Sequence, residues 1–549
     1  MTAQSNAHNA TVTVRLDGSR TPLRRIWRSV GYDEPNYTYT PSGRELLGKL
    51  GGMSDAPYFI RCHFILCSGD GTGRLKWGST NVYSEDADGN PVYSWTLIDR
   101  ILDATIETGC IPFVELGFMP EALSTAPAGT PYDDPRHGGW RFPPKDYGRW
   151  LELIRHLASH CLERYGLAAV SRWYWELWNE PDIFYWTGSS AEFCRLYDYT
   201  EAGLHAVLPQ ALLGGPATTS SALRPQSNQF LRDFLEHITH GVNSLTGQRG
   251  TRLDFISYHS KGGGYGVEPN AAKKTPTMRT LLSNVAAGLA VINDFPALAG
   301  REVILSECDP DGWAAGSIHD NPNLAYRNSE YYASYVACTA NKLIDLRAEG
   351  GARIDGMLTW AFQFENREYF EGHRSLSTNG IDKPVLNVFR LLAKLGSVRL
   401  PLESNDHEGA KGREETRRGA PDNENSPPDI SGMAATDESG GVQIFLCSHH
   451  DDWDVDVSTE VSVVLSGLDP NRTYAVQRSL VARGSSNAYT AWLAMGKPQS
   501  PSATQIAELR AAARLKTEKV GDFVATDGNG TLAMTLPAHS VCLLQLIPA

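Results

Sequence analysis

From Ile26 to Leu395 the chain alternates between two hydrophobic patterns. Short apolar or β-branched runs occur at Ile26–Val30, Tyr58–Leu66, Ile111–Leu116, Trp173–Trp178, Ala211–Gly215, Asp254–His259, Val303–Glu307 and Met357–Phe362, and they read as eight strands. Between them lie longer stretches whose apolar residues recur at helical spacing, among them Trp95–Thr108, Tyr147–Tyr165, Ala191–Leu208, Met278–Ile292 and Glu330–Leu346. Ser42 ahead of Arg44-Glu45-Leu46 and Ser190 ahead of Ala191-Glu192 are placed as helix caps, and Gly109, Gly166 and Gly214 fall where helices end or strands approach. Strand–helix alternation predicts an α/β chain with a parallel sheet, and eight repeats predict a (β/α)8 TIM barrel. A doubly wound sheet would carry a Gly-rich phosphate loop after an early strand. Gly69-Asp70-Gly71-Thr72-Gly73 lacks that spacing.

After Leu395 the pattern changes. Residues 403–440 are rich in Glu, Asp, Arg, Gly and Pro, with almost no large apolar side chains, and read as an exposed or mobile polar insertion. Beyond it, β-patterned runs at Val442–Cys447, Val455–Leu465, Tyr474–Ser479, Thr531–Leu536 and Ser540–Leu546 are separated by turns and by one helix, Ser502–Leu515. They predict an accessory C-terminal β-sandwich. The run Thr11–Leu16 precedes the barrel and is assigned as an added strand of that accessory domain. The expected organisation is an N-terminal strand within residues 1–20, a barrel over 21–396 and a β-sandwich over 397–549 carrying the polar insertion.

Composition narrows the functional classes. Hydrophobic residues at 41% and charged residues at 21% describe a globular chain with ample core. A formal charge of −13 disfavours nucleic acid and acidic membrane faces as partners, and leaves a neutral substrate open. The 13 Trp and 22 Tyr are mostly core, although such rings also suit sugars as platforms. Nine Cys are spread singly, and Cys62 and Cys67, the nearest two, flank His63 without metal-site clustering, so they read as buried reduced thiols. The N-terminus has no basic segment followed by an apolar one, and no window approaches the ~18 apolar residues of a membrane span. Together these predict a cytoplasmic protein with no membrane partner.

The chemistry concentrates at strand ends. Trp173-Tyr174-Trp175-Glu176-Leu177-Trp178-Asn179-Glu180 is an aromatic strand that ends in a carboxylate, and Val303-Ile304-Leu305-Ser306-Glu307 is a second. In a barrel, reacting groups sit where strands end. Two carboxyls there meet the demand of glycoside hydrolysis, one to protonate a leaving oxygen and one to attack or support the sugar. A lone Glu at a strand end is more often a salt-bridge partner. Two, with one in Asn179-Glu180-Pro181, favour catalysis. Alternation predicts Glu176, Trp178 and Glu180 on one side of their strand. Asn179 is placed to hydrogen-bond a sugar hydroxyl. His63 and His259 are either sugar contacts or satisfied core residues, Trp360 is either a sugar platform or core, and Glu365 and Glu368 either bind hydroxyls or are solvated.

These residues resemble glycoside hydrolase family 39, the β-xylosidases and α-L-iduronidases. The resemblance rests on Pro112–Glu121, Pro143–Tyr147, Trp175–Asp182 and Gly214-Gly215-Pro216, and on the tail segment Ala491–Pro498, which is similar to the accessory domain of the bacterial β-xylosidases. It implies a retaining exo-glycosidase without metal or cofactor, acting on short oligosaccharides and releasing terminal β-D-xylose. Glu180 would be the acid/base and Glu307 the nucleophile, with His63, Asn179 and His259 contacting the sugar above Trp360. Two departures, His259-Ser260-Lys261-Gly262 and Glu307-Cys308-Asp309-Pro310, are similar to the α-L-iduronidase branch. There Lys261 would bind a uronate carboxylate through charge-assisted hydrogen bonds; otherwise it binds only hydroxyls or points into solvent. An iduronidase-like activity, or another pentosidase such as an arabinosidase, is therefore the alternative, and self-association through the accessory domain is left open.

Overall fold

The computed structural model describes residues 8–219, 222, 224–346, 351–405, 427–470 and 472–549. Residues 1–7, on which the reading of the N-terminus rests, and 406–426, the middle of the polar stretch, lie outside the described residues. Strand β1 (His8–Arg15) precedes the barrel strands β2 (Ser29–Tyr32), β3 (Phe59–Cys62), β4 (Ile111–Leu116), β5 (Tyr174–Leu177), β6 (Leu212–Thr218), β7 (Phe255–Lys261), β8 (Glu302–Asp309) and β9 (Gly356–Trp360). Strands β2 to β9 pair in parallel with their sequence neighbours, and β9 closes back on β2. This is the eightfold barrel that the alternating pattern predicts. Helices including Thr96–Glu107, Tyr147–Tyr165, Ser190–His205, Pro225–His240, Met278–Asn293 and Glu330–Leu343 alternate with the strands along the chain. Two caps sit one or two residues before the expected positions. Thr40 accepts from the Gly43 N–H ahead of Pro41–Gly51, and Ser189 forms a capping box with Glu192.

The layering of the barrel interior places the site. Phe59, Phe113, Tyr174, Phe255, Ile304 and Leu358 pack as an apolar plug. On three adjacent strands, Arg61, Glu115 and Glu176 stand two residues beyond Phe59, Phe113 and Tyr174, so the period of two turns them to the same face. An apolar floor is thus followed by a fully buried charged layer, and the C-terminal rim lies directly above it.

The accessory domain is two packed sheets. Strand β1 runs parallel to Ser458–Ser466 and antiparallel to Leu402–Ser404 in a four-stranded sheet. A seven-stranded sheet faces it across Val12, Val14, Ile430, Ile444, Leu446, Val463 and Leu544. The inner strands of the seven-stranded sheet, Asp429–Thr436 and Val442–His449, are buried on both sides. The sheet's Phe445, Cys447 and Leu543 join the core that packs outside the barrel, while Ile444, Leu446 and Leu544 alternate towards the sandwich. Reading 403–440 as wholly exposed needs correction at its end: Asp429–Thr436 is an inner strand paired with Val442–His449 and Val398–Leu400. Its Ser431, Gly432, Ala434 and Ala435 are small because neighbours press on both faces, and small residues carry little strand signal. All nine cysteines are buried free thiols. Among the described residues, no helix is long and apolar enough to cross a membrane.

Candidate active site

Glu180 and Glu307 reach the same point by different backbones. Glu307 lies inside strand β8, at a bulge. Tyr258 pairs with Leu305 and His259 with Glu307, so Ser306 is the extra residue that turns Glu307 opposite His259. Glu180 lies beyond the end of β5, on a segment in which Trp178 (φ 64°) and Glu180 (φ 43°) adopt the left-handed conformation. Such backbone costs roughly 1–3 kcal/mol per residue and persists where surroundings fix it. Here the Glu180 N–H donates to the Ala217 carbonyl on β6 at 2.9 Å. This irregularity also overturns simple alternation, because Trp178 leaves the barrel face. It packs on Phe118 and Trp186, and its indole N–H donates to the Tyr185 carbonyl.

One carboxylate oxygen from each glutamate and one nitrogen of His259 all lie within 4.8 Å of one another. His259 Nδ1 is 3.0 Å from Glu180 Oε1 and 3.8 Å from Glu307 Oε1. Glu307 is crowded by cations. Lys261 Nζ stands 2.6 Å from Oε2, His63 Nε2 3.4 Å from Oε1, and Arg61 Nη1 3.7 Å from Oε1. Burial alone would raise its pKa, but Lys261, His259 and His63 overturn that and hold Glu307 well below the usual carboxylate range. Lys261 bridges onward to Asp309 at 2.6 Å, and those two carboxylates outweigh burial to raise the lysine. His63 behaves likewise. Its desolvation is overcome by Glu115, 2.5 Å from Nδ1, and its pKa is pushed up to about 9.

Most of the expected site residues therefore converge. Asn179 Oδ1 accepts from Arg61 Nη2 at 3.2 Å, which fixes the amide beside the charged layer. Trp360 is buried, its ring 4.2 Å from that of His63 and 5.3 Å from the Arg61 guanidinium. Gly31 on the neighbouring strand makes room for it, since a Cβ there would lie 2.4 Å from Trp360 Cε3. Glu365 is not brought to this cluster. Its carboxylate accepts from Thr40 Oγ1 at 2.7 Å and from Ser42 Oγ, at the start of helix Pro41–Gly51. Glu368 is an exposed partner of His319. Glu180, His259 and Glu307 are spaced like ligands of a cation, yet the ammonium of Lys261 already takes a Glu307 oxygen, and its charge opposes a metal there.

Several residues of the site carry weak sequence signals. Arg61, fully buried, binds Glu176 at 2.6 Å and Glu115 at 2.9 Å and is the hub beneath Glu307. A charged residue in phase with Phe59 on an apolar strand was its one visible sign. Asp33 and Glu34, adjacent acids closing β2, are both buried. Lys76, which binds Asp33, lies on an irregular segment with no pattern to mark it.

Comparison with known proteins agrees with this geometry. The family described as glycosyl hydrolases family 39 matches residues 11–531. The chain belongs to this family. A β-xylosidase of Caldicellulosiruptor saccharolyticus is 28% identical over 471 residues, covering 84% of this chain and 84% of that protein. An α-L-iduronidase of Mus musculus is 27% identical over 581 residues, covering 97% of this chain and 80% of that one. A monomeric β-xylosidase from Caulobacter crescentus CB15, 24% identical, superimposes with a TM-score of 0.75 over 98% of this chain and 99% of that one, which shows a shared fold. As a family 39 member the protein is an O-glycosidase.

Proposed function

We propose that this family 39 glycosidase is a retaining, exo-acting enzyme that releases terminal β-D-xylose from short xylo-oligosaccharides. The observation that carries the reading is the close approach of Glu180 and Glu307, with one oxygen of each inside the 4.8 Å cluster. Retention uses carboxyls ~5–5.5 Å apart, whereas inversion needs ~6.5–9.5 Å to admit a water between carboxyl and sugar. The two environments suit different tasks. Glu307, held ionised by Lys261, His259 and His63, is the nucleophile and forms the bond to the anomeric carbon. Glu180, with one histidine partner and a more open position, gives its proton to the departing oxygen as that bond breaks. It then takes a proton from the water that displaces Glu307, so configuration is kept and both carboxyls return to their starting states.

A second reading, an α-L-iduronidase-like activity, is favoured by one observation. Lys261 stands in the pocket with its ammonium against Glu307 and Asp309. In that reading the lysine exchanges a protein carboxylate for the substrate's own. Parallel assays of monosaccharide release from xylobiose and from an iduronate-terminated disaccharide separate the two. Xylose release is expected. Release of uronic acid alone would overturn the xylosidase reading and make Lys261 the specificity residue.

A further inference from the structure

The Glu307 wall of the pocket has a counterpart at the end of the first barrel strand. Strand β2 ends at Tyr32, and the next two residues, Asp33 and Glu34, are acids exposed by only 1% each. A single residue holds both. Lys76 Nζ lies 3.0 Å from Asp33 Oδ1 and 2.9 Å from Oδ2, while the Lys76 backbone N–H donates to Glu34 Oε1 at 2.7 Å. Lys76 adopts a left-handed backbone (φ 60°), and its side chain keeps 27% of its exposure where that of Asp33 keeps 2%. Burial, reinforced by the Asp33 charge, pushes Glu34 up to about 8. Glu34 therefore holds its proton more tightly than a free carboxyl does.

This cluster abuts the reacting groups. Asp33 Oδ2 is 3.3 Å from the Trp360 indole nitrogen, and Asp33 Oδ1 is 3.6 Å from His63 Nε2, which is itself 3.4 Å from Glu307. The buried Tyr185 hydroxyl lies within the electrostatic reach of Lys76, Asp33, Glu180 and Glu307 alike. A carboxylate held on both oxygens by an ammonium offers acceptors and donors side by side. That is what two neighbouring hydroxyls of a sugar demand, since each is donor and acceptor at once.

We propose that the Asp33–Lys76 pair binds the 3- and 4-hydroxyls of the terminal sugar, at the indole-nitrogen edge of Trp360, and so reads the free end of the chain. This rests on the β-xyloside reading above and names the groups that would make it exo-acting. A sugar whose 4-oxygen carries a further residue cannot donate to Asp33.

The test compares an aryl β-D-xyloside with its 2-, 3- and 4-deoxy analogues on the wild type, Asp33→Asn and Lys76→Met. In the wild type, removing the 3- or 4-hydroxyl should lower kcat/KM roughly 10- to 100-fold, the range carried by hydrogen bonds to charged groups. In both variants the parent should lose a similar factor and the 3- and 4-deoxy penalties should shrink towards unity, while the 2-deoxy penalty persists. Equal penalties in variants and wild type would mean that the pair only braces the strand end, and the proposal would be overturned. A wild type with no 3- or 4-deoxy penalty overturns it without any variant, which covers the case of poor folding. Absence of turnover of the parent xyloside would sink the β-xyloside reading and this inference together, a result distinct from turnover without discrimination.

Discussion

Glu180 and Glu307 are the same side chain on two walls of one pocket, and the walls treat them differently. The Glu307 wall is regular strand with one bulge, lined by Lys261, His63 and Arg61 and backed by Asp309 and Glu115. The Glu180 wall is a left-handed segment after a strand, where the carboxyl has one close partner, His259, and 15% of its side-chain exposure. A nucleophile must be anionic and fixed before the sugar arrives. An acid/base must carry a proton, give it up and take another from water. The first task calls for buried cations and the second for an open edge with a single partner. In the proposed mechanism environment, rather than residue type, divides the labour.

The largest effect should come from emptying the first wall. Glu307→Ala is expected to lower kcat by at least about 10^4-fold on every substrate, and added azide should restore turnover as the α-glycosyl azide. Product of the β configuration would exchange the two roles. Glu180→Ala is expected to be milder and selective. With a poor leaving group the loss should be on the order of 10^2- to 10^4-fold, whereas an activated aryl xyloside should still load the enzyme quickly and then stall. Equal losses on both substrates would count against an acid role.

Lys261→Met sharpens the comparison by weakening the Glu307 wall without removing the proposed nucleophile. Lys261 favours the ionised form of Glu307, so its loss must raise that pKa. The acidic limb of kcat/KM should move to higher pH, with a roughly 10- to 100-fold loss at the optimum. An unmoved limb would mean that Lys261 does not tune the nucleophile.

The smallest expected effect is on stability. His63 has a folded pKa of about 9, above its ordinary value, so its contribution is complete below about pH 6.5 and is lost as pH rises through 9. Glu34, raised to about 8, also binds its proton more tightly when folded, and stability falls with rising pH between its ordinary value and 8. Thermal unfolding should show Tm declining from pH 6 to 9, with Glu34→Gln flattening the lower part of that slope. A slope left unchanged by Glu34→Gln would contradict the Glu34 assignment.

Most of the barrel was legible because its strands are short, largely apolar runs and its helices are apolar on one face. Ile111–Leu116 and Tyr147–Tyr165 coincide with their observed ranges. The strand-end glutamates were legible for the same reason, since a strand's end names the rim. What escaped has physical causes. Asp429–Thr436 has only Ile430 and Met433 as large apolar residues, the rest being small or polar and packed between two layers, so hydrophobic pattern registers it weakly. Alternation failed at Trp178 because left-handed residues reset the phase. Glu365 stands three residues beyond the segment Trp360–Phe362 in sequence, yet Thr40 and Ser42 claim its carboxylate. Lys76 and Arg61 gain their meaning from partners distant in sequence, and no spacing rule joins them.

The most direct test of the division between the two walls is the configuration of the first sugar released. Proton NMR of the anomeric region, taken during the earliest hydrolysis of an aryl β-D-xyloside, should show β-xylose first, with the α-anomer appearing only as mutarotation proceeds. Initial appearance of α-xylose would mean single displacement. A Glu307 nucleophile and a pocket too narrow to hold water between the carboxyls would then both be wrong.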